Sequence, residues 1–242
     1  MYKANKEMVE VLPQVDIIIE LLDARIPYSS SNPAIESLRQ NKPSIKLLSK
    51  SDLADPEITL LWQQYYESQE QTKTLAISTD QLGRDQQIIN LCRKLAPHKE
   101  HKAKDILVMI TGIPNVGKST LINSLAGRAV AKTGNEPAIT KGQQRINLRN
   151  GIMLLDTPGI LWPKVENENS SYRLATTGAI KDTAMSYDDV AFFAVDYMLK
   201  HYPQRLVERY KLKQVPKSEL DFLEQLGAQR GCLRAGGQVD LE

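Results

Sequence analysis

The sequence predicts an α/β protein: a mostly parallel six-stranded sheet with one antiparallel edge hairpin over residues 1–168, followed by a small all-α domain at 169–242. Three observations lead there. Continuous Ile/Leu/Val runs alternate with amphipathic stretches over roughly the first hundred residues, the pattern of strands buried on both faces and separated by helices. Asn150-Gly151 joins two further strand-like runs and signals a hairpin, because a type I′ turn needs positive φ at both central positions. After the hairpin and an irregular stretch, apolar residues recur only at helical spacing.

Taken in order, the first three strands are "VDIIIELLDA" (15–24), "SIKLLS" (44–49) and "KTLAIS" (73–78). The segments between them open with helix-start signals, Asn32-Pro33 and Asp55-Pro56. "PHKEHKAK" (97–104) breaks the pattern with proline and charge and reads as a connector. A fourth strand, "DILVMI" (105–110), runs into a glycine-containing turn and the helix "KSTLINSLAG" (118–127). "GNEPAITKGQ" (134–143) is too rich in Pro and Gly to be regular, and the hairpin runs "QQRINLR" (143–149) and "GIMLLD" (151–156) follow. In the C-terminal part, Val190, Phe193, Ala194, Tyr197 and Met198 form one apolar stripe, read as packing rather than as a cofactor box.

Composition narrows the class. With 242 residues, 41% hydrophobic and 25% charged, the chain can bury one sizeable core plus a smaller module. A net charge of +2 is too mild to imply nucleic acid by itself, so a basic surface must come from clusters such as Lys200, Arg205, Arg209, Lys211, Lys213, Lys217, Arg230 and Arg234. Solvated helix faces are an equally good reading of that set. Cys92 and Cys232 lack metal-ligand spacing and read as reduced thiols, which makes the cytoplasm the expected location. The apolar runs are strand-sized, so no membrane is expected.

The chemistry is carried by "GIPNVGKST", which matches G-x-x-x-x-G-K-[ST] at Gly112, Gly117, Lys118 and Ser119. A chance match in such a chain is roughly a one-in-a-hundred event, and the strand before and helix after it make chance a poor account. Backbone N–H groups and the helix N-terminus would cradle phosphate oxygens, the two glycines allowing close approach. The nucleotide-contact set here is Asn115, Val116, Gly117, Lys118, Ser119 and Thr120, with Lys118 neutralising β/γ charge and Ser119 suited to Mg²⁺. Asn115 could coordinate K⁺ beside the phosphates or brace the loop, two readings of equal weight. "LLDTPGI" places Asp156 at a strand end, where its carboxylate can hold a magnesium-bound water, and Gly159 where its N–H can meet a γ-phosphate. Thr140 is the natural switch threonine, contacting Mg²⁺ and γ-phosphate, although a strand-edge threonine is the plainer alternative. This set points to GTP/GDP and Mg²⁺ as cofactors. Ile160 stands where many GTPases carry a water-orienting glutamine and can donate no hydrogen bond, so slow intrinsic hydrolysis is expected.

No Asn/Thr-Lys-x-Asp base reader follows the phosphate loop. Upstream, however, the second strand ends at Ser49-Lys50-Ser51-Asp52 and the third at Ser78. Asp52 would accept guanine N1–H and N2–H₂, Lys50 would cover the ring and Ser78 would meet O6. The order of parts therefore resembles the circularly permuted P-loop GTPases, and specifically the YlqF/RbgA family of ribosome-assembly GTPases. "ELLDARIPYSSSNP", "GIPNVGKSTLINSL", "AKTGNEPAIT", "LLDTPGILWPK", "LATTGAIKD" and "HYPQRLVERY" carry that resemblance across most of the chain.

The resemblance implies GTP and Mg²⁺ binding, a role in late maturation of the large ribosomal subunit, and ribosomal RNA contact through the helical domain. With it goes the expectation of a monomeric switch whose low hydrolysis rate is stimulated on the ribosomal particle. The alternative is a guanine-nucleotide-dependent interaction scaffold with incidental hydrolysis. Three positions depart from the family pattern. Ser49 replaces a longer asparagine, putting its bracing bond toward the phosphate loop in doubt; Ala138 stands for a usual glycine. The family's N-terminus usually carries Pro-Gly-His-Met, and the chain begins at Met1-Tyr2-Lys3, just past that histidine, so if the histidine assists hydrolysis its contribution is expected to be missing.

Overall fold

The computed structural model describes residues 8–78, 84–100, 104–131, 144–158, 167–180, 185–234, 236 and 238–240. It divides into two compact units, the first ending at Glu166 and the second beginning at Asn167.

The first unit is built on β1 (Ile17–Asp23), β2 (Ser44–Ser49), β3 (Thr72–Ala76), β4 (Ile106–Gly112), β5 (Gln144–Asn147) and β6 (Ile152–Asp156). Their order across one sheet is β3-β2-β1-β4-β6-β5, and only the β5/β6 pair is antiparallel. The four central strands are buried almost throughout, as their unbroken apolar runs require, while the edge strands β3 and β5 alternate with exposed residues. Chain order reverses direction across the sheet between β1 and β4. Ligands of open α/β sheets bind at such a reversal, beyond the carboxyl ends of the strands.

Register brings the motif residues to that edge. Asp23 pairs with Ser49, Leu21 with Gly112, Ile110 with Asp156 and Leu48 with Ala76, so five strand ends finish in one row. Motifs far apart in sequence thus meet because their strands are parallel neighbours. Gly112 is needed there for packing: a Cβ on it would lie 2.9 Å from the Leu21 carbonyl oxygen and 3.0 Å from Val116 Cγ1. It serves the close approach of β4 to β1.

One expectation is revised. The hairpin turn is longer than a two-residue Asn-Gly turn, since positive φ falls on Arg149 (59°) and Gly151 (82°), not on Asn150. The Asn147 side chain accepts from the Arg149 N–H at 2.6 Å, and this local bond helps set the turn. The strand runs also hide charge. Glu20 of β1 and Lys46 of β2, both nearly fully buried, pair at 2.6 Å; Lys46 also reaches Glu36 at 3.3 Å and lies over the Tyr66 ring. Glu20 accepts in addition from the Asn32 N–H at 2.8 Å, so the pair is hydrogen-bonded as well as neutralised.

The second unit consists of helices Glu168–Thr176, Tyr187–His201, Pro203–Tyr210 and Glu219–Arg230 among its described residues. Val195, Leu206, Leu212 and Phe222 form its core, with Met198 and Leu199 packed against them. Of the expected stripe, Met198 joins that core and Phe193 stacks on Tyr172 at 5.0 Å, while Tyr197 is exposed.

Candidate nucleotide site

The phosphate loop leaves β4 and turns through two left-handed residues, Asn115 (φ 58°) and Gly117 (φ 99°). Gly117 is the N-cap of helix Lys118–Ala126, and no side chain caps that N-terminus. Its N–H groups and dipole are therefore available to an anion, and glycine meets the positive φ at no steric cost.

Lys118 and Asp156 face each other beside this turn. Lys118 Nζ donates to Asp156 Oδ1, and the two residues are 7% and 1% exposed. Burial pushes the Asp156 carboxyl above its usual range, the charge and hydrogen bond of Lys118 pulling it partly back. The other oxygen, Oδ2, is buried with no hydrogen-bond partner among the described residues. Thr157 Oγ1 donates to the Ile110 carbonyl at 2.9 Å, which pins this segment beside the phosphate strand; sequence reasoning did not single it out.

The upstream tetrad reaches the same loop. Ser49 Oγ donates to the Val116 carbonyl at 2.7 Å and shares its proton with the Leu22 carbonyl at 3.0 Å. Lys50, itself left-handed at φ 56°, donates from Nζ to the Asn115 carbonyl at 2.8 Å and to Asp23 Oδ2 at 3.1 Å. Serine at position 49 thus keeps a bracing bond to the phosphate loop, which corrects the doubt its short side chain raised. Ser49→Ala is expected to lower stability by about 1–3 kcal/mol, because a buried acceptor loses its donor, and to weaken guanine nucleotide binding. Chemical denaturation and calorimetry check the two effects.

A cavity of about 120 Å³ lies between these parts, with Ser49, Lys50, Ser78, Val116, Gly117 and Thr120 in its lining and Ile77, Ile88 and Leu121 as apolar wall. Phosphate-loop and base-side candidates therefore line one space. Arg84 and Asp85 from the helix Arg84–Leu95 line it too, and neither was expected; Asp85 Oδ2 accepts from Ser124 Oγ at 2.5 Å. Asp52 stands outside that lining, exposed on the turn Ser51–Leu53 that follows Lys50. Asn115 enters through its backbone carbonyl. Thr140, Ala138, Gly159 and Ile160 lie outside the described residues.

Known proteins share this arrangement. A family model described as 50S ribosome-binding GTPase matches residues 107–225. Ribosome biogenesis GTPase A of Priestia megaterium is 46% identical, the match covering 100% of this chain and 86% of the relative. Among solved structures, GNP-bound YlqF from T. maritima aligns with TM-score 0.67 and 26% identity over 98% of this chain and 88% of that one. The GDP-bound form of the T. maritima protein gives 0.65 and 26% over 96% and 86%. A phosphate strand at mid-sheet, base-side strands ahead of it in the chain, and near-complete coverage by these relatives give one conclusion: the chain belongs to the ribosome biogenesis GTPase A family and is a circularly permuted GTPase.

Proposed function

We propose that this GTPase is a guanine-nucleotide switch in late assembly of the large ribosomal subunit, monomeric and cytoplasmic, with slow intrinsic hydrolysis stimulated on the precursor particle. The observation that carries the reading is the pair of bonds from Ser49 and Lys50 to the Val116 and Asn115 carbonyls, which ties the base-side strand end to the phosphate loop. A protein that only gripped phosphate would have no use for that link. The relatives' names supply the ribosomal context. No described helix is long and apolar enough to cross a membrane. RNA contact is assigned to the basic residues of the second unit.

In this reading Asp52 reads guanine N1–H and N2–H₂, Lys50 covers the ring, Ser78 meets O6, and Asn115 to Thr120 hold the phosphates. Magnesium fits the residues present: the orphaned Asp156 Oδ2 and the Ser119 hydroxyl are oxygen donors at the loop, and this ion commonly takes one carboxylate plus substrate phosphates. Thr140 would join them, and Gly159 would meet the γ-phosphate. When bound, the ion supplies positive charge to the oxygens of the breaking bond. Lys118, held by Asp156, turns to the β/γ oxygens on nucleotide binding. Potassium near Asn115 is a further element, testable by comparing turnover in K⁺ and Na⁺.

Asp52→Asn is the direct test. Calorimetry should show GDP affinity falling by at least about tenfold while binding shifts toward xanthosine diphosphate. Unchanged affinity and selectivity would place the base reader elsewhere. Turnover with and without large-subunit precursor particles tests the switch, and absence of stimulation in either K⁺ or Na⁺ favours a scaffold.

A further inference from the structure

The run Asp23-Ala24-Arg25 sits at the end of β1, beside the site, and the proposed function leaves it unused. Asp23 is 1% exposed and its carboxylate is crowded with donors: the Arg25 N–H at 3.1 Å, Arg25 Nε at 2.9 Å, Arg25 Nη2 at 2.7 Å and Lys50 Nζ at 3.1 Å. The segment is fixed from both sides. The Asp23 N–H donates to Ser30 Oγ at 3.0 Å, and the Ala24 N–H donates to the Ser49 carbonyl at 2.8 Å. So rigid an anion holder is more than β1 needs to end.

Its neighbours explain it. Lys50 and Asp52 must face one base together, yet they are two residues apart and oppositely charged, and they would neutralise each other. Lys50 is instead suspended between Asp23 and the Asn115 carbonyl. Arg25 in turn fixes that carboxylate through Nε and Nη2. The base-reading cation is thereby given a partner other than Asp52, and that partner is itself fixed by Arg25.

We propose that Asp23 and Arg25 are the positioning pair of base recognition, Asp23 holding Lys50 over the ring and Arg25 fixing the Asp23 carboxylate that holds it. The role rests on the base-reading assignment given above. The state of Asp23 suits it: burial pushes its carboxyl up, but the bonds and charge of Arg25, with those of Lys50, outweigh burial and hold it below the usual carboxylate range. It stays ionised.

The test titrates the full chain and its variants with GDP, GTP and inosine diphosphate, which lacks the 2-amino group that Asp52 reads. Asp23→Asn should weaken GDP and GTP alike, by about tenfold, the scale of one charge-assisted hydrogen bond. Arg25→Gln removes two charge-assisted bonds from the buried Asp23 carboxylate, so its melting temperature should fall, but Lys50 still neutralises that carboxylate; at temperatures where the variant is folded its GDP affinity should drop several-fold with its pyrophosphate affinity unchanged, whereas a merely structural arginine would leave the folded variant's GDP affinity at the parental value. Should Asp23→Asn fail to fold, Arg25→Gln decides alone. Parental GDP affinity in folded Arg25→Gln, with the GDP-over-inosine-diphosphate ratio reduced in Asp52→Asn, overturns the positioning role only. An unchanged ratio in Asp52→Asn removes the base-reading assignment and the positioning role with it.

Discussion

Lys118→Ala is expected to cost the unliganded chain about 3–5 kcal/mol at neutral pH and to abolish measurable nucleotide affinity. The stability loss follows from what stays behind. Asp156 is 1% exposed, fixed at the end of β6, and among the described residues Lys118 is its one salt-bridge partner. Removing the ammonium leaves a buried carboxylate with neither charge partner nor donor, and its carboxyl rises further above a range that burial has already raised. Acidification then supplies the missing neutralisation. As pH falls through the folded-state value of Asp156, the variant's carboxyl takes up a proton and the deficit relative to the parent shrinks. Urea denaturation of both chains over a pH series measures this directly. A deficit that stays constant with pH would mean that the lost energy belongs to packing of the lysine stem and not to the charge left unpaired. Affinity fails for a separate reason: the loop's backbone N–H groups remain, but the mobile cation that answers the β/γ charge is gone.

What the sequence revealed was local or periodic. The strands were legible because β1, β2 and β4 are continuous apolar runs, and the phosphate loop because its spacing is imposed by backbone geometry within a single turn. Even the permuted order could be read, since the alternative base reader downstream was absent and Ser49 to Asp52 ends a strand. What stayed hidden depends on lateral register between strands. Ser49 and Val116 lie 67 positions apart and Lys50 and Asn115 65, and their bonds exist only because β2, β1 and β4 end in one row. Side-chain length alone put the reach of Ser49 to the loop in doubt; the 2.7 Å bond shows that the loop comes close enough for serine to serve. The packing role of Gly112 was hidden for the same reason, its steric neighbour being Leu21 on another strand. One signal was present and unused: Glu20 and Lys46 each interrupt an apolar run, and opposite charges on two runs predicted to be buried strands of one sheet point to a buried pair.

Asp156→Asn should separate stability from chemistry, in contrast to Lys118→Ala. The folded chain holds a carboxylate whose affinity for a proton is raised, so between the ordinary aspartate value and the folded-state value the native state binds more protons than the unfolded one. Stability therefore falls as pH rises through that window, and the cost persists above it. Asparagine has the same shape and no proton to lose, so the variant escapes this term. It does leave Lys118 without its anion, but lysine is a flexible stem rooted at a helix N-terminus and can carry its charge outward, whereas a carboxylate on a strand end cannot. The net loss at neutral pH should be smaller than for Lys118→Ala. The functional loss should be large. If Asp156 holds the magnesium shell, the variant binds GDP through the loop and the base-side residues yet gains nothing from the ion, and turnover falls by at least about a hundredfold. Melting curves with GDP alone and with GDP plus magnesium read this without reference to activity. The parent should show an added rise from magnesium and Asp156→Asn none; a rise of parental size in the variant would show that the ion is held elsewhere and that the unpaired Oδ2 has another purpose.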